Sequence, residues 1–286
     1  MEIHKIAAFA DGQQGGNPAG VVIDQEHPPE ATMQAMAAEI GYSETAFLAP
    51  ARLPKKRHDH WRVRYFSPES EVPFCGHATI ALGAALTSKF GTGIFNLALN
   101  QADITVEGIK TEGNLIAALQ SPPTFSRIPD EAMVNEALSL FGYRTTDLDQ
   151  RLPPAFIHAG ANHLVVVLAS RKLLSAMHYE LAVGRQFMKA YDLVTVMFAY
   201  AETPTLFHTR NPFASGGVYE DPATGAASAA FAGYLNDVQW AHEGCITLIQ
   251  GEDMGSRSLI QADINPTPGS SVRVSGAARF LDTQAC

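Results

Sequence analysis

Two segments of this chain contain almost only small and apolar residues, and they repeat one another. The first is Gly76–Leu86 and the second is Gly225–Leu235. Aligning the two segments at their first residues places Thr79 on Ser228. A helix that is apolar on all sides must be buried on all sides. We therefore predict two equivalent buried helices, which start at Gly76 and at Thr224, and, with them, an internal duplication.

The remaining pattern places strands around each of these helices. In the first half, Ile3–Phe9 and Trp61–Phe66 have the apolar content and alternation of half-buried strands. After Pro122 and Pro123, a helix, several strands and the second buried helix follow in a similar order. Strands separated by turns favour an α+β fold over a doubly wound parallel sheet. The predicted divisions are an N-terminal domain over residues 1–120, a C-terminal domain over 125–270 and closing strands over 271–286.

Composition argues against several classes of partner and location. The chain has 286 residues, of which 46% are hydrophobic, and its formal net charge is −9. This acidic balance argues against nucleic acid and anionic membranes as partners. Three cysteines, Cys75, Cys245 and Cys286, are too few and too irregularly spaced for a disulfide framework or a zinc site. The N-terminus lacks signal-peptide features and the apolar runs are too short to span a membrane, so we expect a cytoplasmic protein.

Each predicted buried helix begins beside a residue that can act as an acid or a base. His77 follows Gly76 directly, and Asp221 lies shortly before Gly225. The first N–H groups of a helix have no partner within it, so two helix starts facing one cleft would bind a small anion. The helix dipole also favours a neutral imidazole, which can serve as a base or a hydrogen-bond donor. The alternatives are a core histidine and an aspartate that only caps its helix.

Two further residues are candidates for proton transfer. Glu44 shares a strand face with Ala46 and Leu48, and a carboxyl on an apolar face tends to keep its proton, as a proton-shuttling acid needs. The alternative is an edge-strand glutamate that points to water. Cys75 stands at a helix start, where thiolate formation is favoured. A two-thiol racemase would need a second cysteine near Asp221, and none is there. The alternative is that Cys75 is a small, buried, apolar residue of the core.

Four other titratable residues receive no catalytic role. We expect Glu220 to be a solvated carboxylate. Three histidines border apolar strands and are expected to be structural, namely His158, His163 and His208.

Three groups of residues together resemble the PhzF-like family of phenazine biosynthesis, whose members are related to diaminopimelate epimerase. The first group is Gly16–Val21 with Ser43–Phe47, the second is Glu71–Thr79 and the third is Glu220–Gly225. They occur in the family's order and span nearly the whole chain. The resemblance implies two similar domains, each a curved, mostly antiparallel sheet wrapped around a central apolar helix, with the site between them. It also implies no metal or organic cofactor, and often a homodimer.

The same resemblance assigns roles to individual residues. The glutamate of the Ser-Glu-Thr segment is the principal acid/base of the family, which implies this role for Glu44. His77 and Asp221 would orient a polar group of the substrate and tune Glu44. The residues implied to hold the substrate are Asn17, Gly76, Gly225 and the position of Ala226.

Ala226 is a departure from the family pattern. The family usually has a serine directly after Gly225, and that hydroxyl helps to bind a substrate carboxylate. A charge-assisted hydrogen bond contributes about 1.5–3 kcal/mol, so its loss weakens binding of such a carboxylate. The backbone N–H groups of the helix start remain.

These observations predict a cofactor-independent isomerase that moves a proton on a small carboxylate-bearing substrate. Glu44 would take or deliver the proton, and the two helix starts would hold the carboxylate. Two alternatives stay open. One is a thiol-based racemase or epimerase that uses Cys75 as a base, and the other is a non-catalytic binding protein on the same scaffold.

Overall fold

The computed structural model of the chain describes residues 1–51 and 59–281. Helices and strands both contribute and most strand pairs are antiparallel, so the predicted α+β class is confirmed. The chain divides into two compact units. Unit 1 comprises Met1–Gln120 and the chain from Ser275 onward, and unit 2 comprises Ser121–Val274. Cys286 and the rest of residues 282–286 lie outside the described residues.

Within residues 1–51 and 59–120, unit 1 contains two helices and eight strands. The helices are α1 (Glu30–Ile40) and α2 (Gly76–Phe90), and the strands are β1 (Glu2–Ala8), β2 (Asn17–Ile23), β3 (Thr45–Pro50), β4 (His60–Phe66), β5 (Glu71–Val72), β6 (Gly93–Ala98), β7 (Asp103–Thr111) and β8 (Asn114–Gln120).

The strands of unit 1 form parallel and antiparallel pairs in a definite order. β1 pairs antiparallel with β2, and β2 pairs parallel with β3. β3 pairs antiparallel with β4, which pairs antiparallel with the short β5 and parallel with β6. β6, β7 and β8 then continue antiparallel.

The apolar helix α2 lies in the core of unit 1, as its sequence predicts. All its residues from His77 to Thr87 are buried, and it packs against β2, β7 and β8. Small residues allow this close approach. A Cβ atom at Gly83 would lie 2.6 Å from a methyl carbon of Val106 on β7. The helix therefore requires glycine where it contacts that strand.

Unit 2 contains four helices and eight strands, and one more strand closes the described chain. The helices are α3 (Glu131–Leu140), α4 (Arg171–Ser175), α5 (Leu181–Ala190) and α6 (Gly225–Asp237), and the strands are β9 (Phe125–Arg127), β10 (Ala155–His158), β11 (Asn162–Val167), β12 (Thr195–Ala201), β13 (Leu206–Phe213), β14 (Val218–Asp221), β15 (Cys245–Gln250), β16 (Ser258–Asp263) and β17 (Arg273–Phe280).

The strands of unit 2 form parallel and antiparallel pairs in the same order as those of unit 1. β10 pairs antiparallel with β11, and β11 pairs parallel with β12. β12 pairs antiparallel with β13, which pairs antiparallel with the short β14 and parallel with β15. β15 pairs antiparallel with β16. In both units the buried helix follows the short strand directly, so α6 occupies the place in its unit that α2 occupies in unit 1.

Two details complete the description of the predicted elements. The second buried helix begins at Gly225, and Thr224 is its N-cap, because the backbone of Thr224 has not yet adopted helical angles. β17 lies with unit 1 from Ser275 onward, where it pairs antiparallel with β1. No helix within residues 1–51 and 59–281 is both long and apolar enough to cross a membrane.

Candidate active site

Three side chains that can exchange protons meet at the start of α2 in unit 1. The imidazole of His77 lies at the centre of the group, with its Nε2 atom 3.4 Å from Oε2 of Glu44. Its Nδ1 atom lies 3.3 Å from the sulfur of Cys75. The hydroxyl of Ser43 is 3.4 Å from Nε2. The fold thus brings Glu44 and His77 together, as both candidate roles require, and adds Cys75 to them.

Local backbone structure fixes each of these side chains. Cys75 is the N-cap of α2 and has extended backbone angles, and His77 is the second residue of the helix. Glu44 immediately precedes β3, and its carbonyl oxygen accepts a hydrogen bond of 3.2 Å from the N–H of Gly20. The prediction that Glu44 lies on the strand is therefore corrected, because β3 begins one residue later, at Thr45.

The group is nearly closed to solvent but leaves room beside the helix start. The side chain of His77 is 8% exposed and that of Glu44 is 16% exposed. Electrostatic interactions are stronger in such a setting than in water. A Cβ atom at Gly76 would meet no other atom within 4 Å. The first N–H groups of α2 can thus be approached from the side of Gly76.

Two buried hydroxyls support the start of α2 from behind. Thr79 donates a hydrogen bond of 2.7 Å to the carbonyl oxygen of Cys75. Since that hydroxyl donates its proton there, the phenol of Tyr65 donates to Thr79, across 2.7 Å. Burial raises the pKa of Tyr65 above its ordinary value, which keeps this donor protonated. Sequence reasoning missed Tyr65, which looks like any aromatic residue of an alternating strand.

In unit 2, Asp221 ends the short strand that precedes α6 and is held by two neighbours. Its Oδ2 atom accepts a hydrogen bond of 2.6 Å from the hydroxyl of Thr224. Gln250, which is fully buried, donates to the carbonyl oxygen of Asp221 at 2.7 Å and to the hydroxyl of Thr224 at 2.9 Å. Asp221 is therefore not itself the helix cap. Gln250 is a second residue that sequence reasoning missed, since a single amide in an apolar strand gives no signal.

Each of the two buried helices has an equivalent hydrogen bond at its start. Ser228 donates to the carbonyl oxygen of Thr224 at 3.0 Å, as Thr79 does to that of Cys75 in unit 1. Each hydroxyl lies four residues after its N-cap, in agreement with the sequence alignment. Ala226 is the second residue of α6, partly exposed, at the position that His77 occupies in α2.

A bidentate ion pair precedes each helix start. Arg64 binds Glu71 through Nε at 2.7 Å and Nη2 at 2.6 Å. Arg210 binds Glu220 through the same two nitrogens, at 3.0 and 2.5 Å. Hydrogen bonds from Arg64 hold the pKa of Glu71 below its ordinary value. Each glutamate lies four residues before an N-cap and joins the short strand to the strand beside it.

Glu220 corrects one of the sequence predictions. We expected a solvated carboxylate, but its side chain is 3% exposed. The charge is tolerated inside the unit because Arg210 compensates it and also donates to the backbone carbonyls of Ser175 and Met177. An Arg ten residues earlier in the chain is not visible as a partner from sequence spacing.

The remaining predicted substrate residues have defined positions but untested roles. Asn17 is the first residue of β2 and is buried in unit 1. Gly225 is the first, buried residue of α6 in unit 2. Their contacts with a substrate, and those of Asp221 and Ala226, stay predictions.

The three expected structural histidines differ in their surroundings. His163 is fully buried, with Nδ1 2.7 Å from the hydroxyl of Thr195. His208 contacts Glu202 and Glu252 at 2.6 and 3.2 Å. His158 contacts the side-chain oxygen of Asn162 at 2.7 Å. None of these four contacts involves Glu44, His77 or Asp221.

Comparison with known proteins agrees with this fold and these motifs. Residues 6–283 match the PhzC-PhzF family, described as phenazine biosynthesis-like protein. The trans-2,3-dihydro-3-hydroxyanthranilate isomerase of Pseudomonas aeruginosa is 30% identical over 288 residues, covering 98% of this chain and 97% of that protein.

Solved structures show the same fold. A Bacillus anthracis phenazine biosynthesis protein of the PhzF family superposes with a TM-score of 0.85 at 20% identity, covering 99% of this chain and 98% of that one. A probable proline racemase from Agrobacterium radiobacter superposes with a TM-score of 0.64 at 11% identity, covering 99% and 92%. The chain belongs to the PhzC-PhzF family of phenazine biosynthesis-like proteins, and it is an isomerase.

Proposed function

We propose that this isomerase needs no cofactor and moves a proton between carbon atoms of a small carboxylate-bearing substrate, with Glu44 as the proton carrier. The observation that carries the proposal is the 3.4 Å contact between the Glu44 carboxylate and Nε2 of His77 in a nearly closed setting. A carboxylate held by a hydrogen-bonding partner can accept a proton in one step and return it in the next.

The proposed reaction is a balanced proton shift. Glu44 takes a proton from one carbon of a conjugated or activated acid, and the electron pair of that C–H bond moves into the conjugated system. The same carboxyl group then delivers the proton to another carbon, so no electron leaves the substrate. His77 orients the Glu44 carboxyl group through Nε2, and the N–H groups beside Gly76 stabilise negative charge on the substrate carboxylate.

The residues of unit 2 complete the proposal. Asp221 would orient a polar group of the substrate, and its hydrogen bond from Thr224 supports this role because it fixes the carboxylate. The start of α6 at Gly225 would bind an anionic group, with Ala226 supplying no hydroxyl. Asn17 in unit 1 would help to hold the substrate.

The relatives support a substrate class that can be tested. One relative is named for its action on trans-2,3-dihydro-3-hydroxyanthranilate, a cyclic carboxylate. We propose this compound as the first substrate to test, followed by other unsaturated cyclic carboxylates. Because Ala226 lacks the hydroxyl that the family resemblance implies, we expect weaker binding of the carboxylate and turnover that needs higher substrate concentrations.

The experiment is an isomerisation assay in deuterated water with wild-type protein and Glu44→Gln. We expect the wild-type product to carry solvent deuterium at the carbon that receives the proton, and we expect metal chelators not to lower turnover. We expect Glu44→Gln to remain folded and to lose both isomerisation and exchange. A Gln variant with the wild-type exchange rate would remove Glu44 from the mechanism.

A thiol-based racemase or epimerase is the second candidate, and one contact favours it. The Cys75 sulfur lies 3.3 Å from Nδ1 of His77, close enough to pass a proton to the imidazole. Cys75→Ala discriminates between the two functions. We expect this variant to keep most activity, whereas a loss of more than about a thousandfold, roughly 4 kcal/mol of barrier, would make the thiol the base.

The proposal also covers the organisation of the molecule. We propose that the two units are similar domains that arose by duplication, which their equal order of strand pairings and equal helix starts support. We further propose a homodimer. Sedimentation equilibrium at several protein concentrations tests the homodimer, and a single monomeric species at all concentrations would exclude it.

A further inference from the structure

The three side chains at the start of α2 are also a set of metal ligands. Glu44, Cys75 and His77 offer one carboxylate oxygen, one sulfur and one ring nitrogen, and these atoms lie within 4.8 Å of one another. Oxygen, sulfur and nitrogen donors of these three residue types are the ligands that zinc takes in proteins. From the cysteine count we predicted no zinc site. A count of cysteines does not detect a site of mixed ligands that only the fold brings together.

We propose that Glu44, Cys75 and His77 bind a zinc ion, and that bound zinc reversibly inhibits the isomerase. The binding part stands on the geometry of these residues alone. The inhibition part rests on the proposed function, because it requires Glu44 to be the proton carrier.

The distance between the Glu44 and His77 donors matches a tetrahedral zinc site, and the distance between the His77 and Cys75 donors is longer. Bonds of about 2.0–2.3 Å from zinc to oxygen, nitrogen and sulfur place neighbouring donors about 3.3–3.6 Å apart. The Nε2 atom of His77 is 3.4 Å from Oε2 of Glu44 and 4.0 Å from the sulfur of Cys75. The sulfur lies nearer to Nδ1, at 3.3 Å, so the Cys75 side chain must change its rotamer to reach an ion bound to Nε2.

The backbone of each of the three ligands is held in place before an ion arrives. Cys75 and His77 are fixed by the start of α2, and the carbonyl of Cys75 is held by Thr79. The backbone of Glu44 is fixed by the N–H of Gly20. With the backbone fixed in this way, only the side-chain rotamers remain to be ordered when an ion binds.

Charge balance also favours a divalent cation. A metal-bound cysteine is a thiolate, so Cys75 and Glu44 together contribute two negative charges against the two positive charges of zinc, while His77 stays neutral. The resulting site is nearly neutral overall, which suits a setting with little solvent.

Zinc in this position blocks the proposed chemistry directly. The oxygen lone pair of Glu44 that accepts the substrate proton is then occupied by the ion. The Nε2 lone pair of His77 is occupied as well, so the imidazole no longer positions the carboxyl group. Chelation of the ion restores both.

Cobalt(II) is the probe for the binding part, because a thiolate bound to cobalt gives a charge-transfer absorption band in the near ultraviolet. Chelator-treated protein is titrated with cobalt chloride and then with zinc chloride. We expect one equivalent of cobalt to give the band and zinc to remove it. Loss of an outer-shell partner already weakens metal binding by about 10–100-fold, so loss of a direct ligand in Glu44→Gln weakens it at least as much.

Cys245→Ala is the matched control for Cys75→Ala. Cys245 lies in unit 2, and burial raises the pKa of its thiol to about 11, so it is a poor ligand near neutral pH. We expect the band in Cys245→Ala and its loss in Cys75→Ala, with both variants folded by circular dichroism. A band that persists in Cys75→Ala, or a wild-type protein that binds no cobalt or zinc, would overturn the site.

The inhibition part is measured as the zinc concentration that halves each variant's own zinc-free rate. We expect this concentration to rise at least about tenfold in Cys75→Ala and to stay unchanged in Cys245→Ala. Zinc that binds at one equivalent without slowing turnover would overturn the inhibition. If Glu44→Gln keeps its activity while the cobalt band depends on Cys75, the proposed function fails and the metal site stands.

Discussion

Arg210 and Glu220 form a bidentate ion pair inside unit 2, with Nε and Nη2 of the arginine 3.0 and 2.5 Å from the two carboxylate oxygens. Both side chains are less than one-tenth exposed. Arg64 and Glu71 form the same pair, through the same nitrogens, at the equivalent place in unit 1. Each pair joins a short strand to its neighbour just before a buried helix. The pairs thus fix where the two helices begin.

The buried pair predicts a large effect on stability when one partner is removed. Glu220→Gln or Arg210→Met leaves a buried charge without compensation, which costs about 3–5 kcal/mol of unfolding free energy. The double variant should recover part of this loss. In unit 1, Arg64→Met should cost less, because Arg64 is 19% exposed and water can solvate the remaining Glu71. Urea unfolding of the four variants measures this, and equal losses for Arg210→Met and Arg64→Met would contradict the assignment.

His163 predicts part of the pH dependence of stability. Its Nδ1 donates to Thr195, because the Thr195 hydroxyl donates to Asn211. Burial lowers the pKa of His163 to about 3 from 6.5. The unfolded chain thus binds a proton that the folded chain does not between these two pH values. The contribution of His163 to the unfolding free energy is constant above pH 6.5. It declines by about 1.4 kcal/mol per pH unit as the pH falls from there towards 3.

Unfolding titrations from pH 7 to pH 4 test this contribution. We expect His163→Gln to flatten the loss of unfolding free energy at low pH relative to wild type. The exposed His178→Gln serves as the control and should leave the slope unchanged. The assignment would be wrong if His163→Gln and wild type lost stability with the same slope.

Gly76 predicts a separation of activity from stability. Its missing Cβ faces open space, so Gly76→Ala fits the fold and gains up to about 1 kcal/mol of stability from the lower flexibility of the unfolded chain. The new methyl group obstructs a substrate carboxylate at the start of α2, and we expect kcat/KM to fall about tenfold, or 1.4 kcal/mol. Gly93→Ala, which also meets no atom within 4 Å, is the control and should keep full activity. Unchanged kinetics in Gly76→Ala would mean that the substrate does not approach there.

Ala226 predicts a gain of binding. A hydroxyl at this second residue of α6 restores the donor that the family resemblance implies, and one charge-assisted hydrogen bond contributes about 1.5–3 kcal/mol. We expect Ala226→Ser to lower the KM for a carboxylate substrate about tenfold or more. Ala182→Ser, at the second residue of α5 in the same unit, is the matched control and should have no effect. A KM that does not respond to Ala226→Ser would place the carboxylate elsewhere.

The sequence predicted those parts of the structure that local pattern determines. The burial of α2 and α6 follows from two stretches without charged residues, and the alignment of Thr79 with Ser228 predicted the equivalent helix starts. Long-range partners were not predictable in this way. The contact between Glu44 and His77 depends on how β3 lies beside the start of α2. The resemblance to the family suggested this contact, but the spacing of the two residues in the sequence did not.

The residues that sequence reasoning missed share a physical reason. Tyr65 and Gln250 are single polar groups on apolar strands, and only the three-dimensional structure shows which backbone and hydroxyl groups they bind. Glu220 was misjudged because burial of a charge depends on its partner, and Arg210 becomes a neighbour only when the strands pair. Prediction from sequence therefore fails where a polar residue depends on a partner that is distant in the chain.

The measurement that tests the account most directly is solvent deuterium incorporation by Glu44→Gln, compared with wild type and with Glu39→Gln. Glu39 is an exposed carboxyl group on α1 in the same unit, so its replacement controls for the loss of one charge. General acid–base catalysis contributes about 10²–10⁴-fold, so we expect exchange and isomerisation to fall at least about a hundredfold in Glu44→Gln alone. The thermal unfolding temperature should stay the same or rise. A folded Glu44→Gln protein that still exchanges deuterium into product at the wild-type rate would contradict the central claim and leave His77 as the next candidate for the proton carrier.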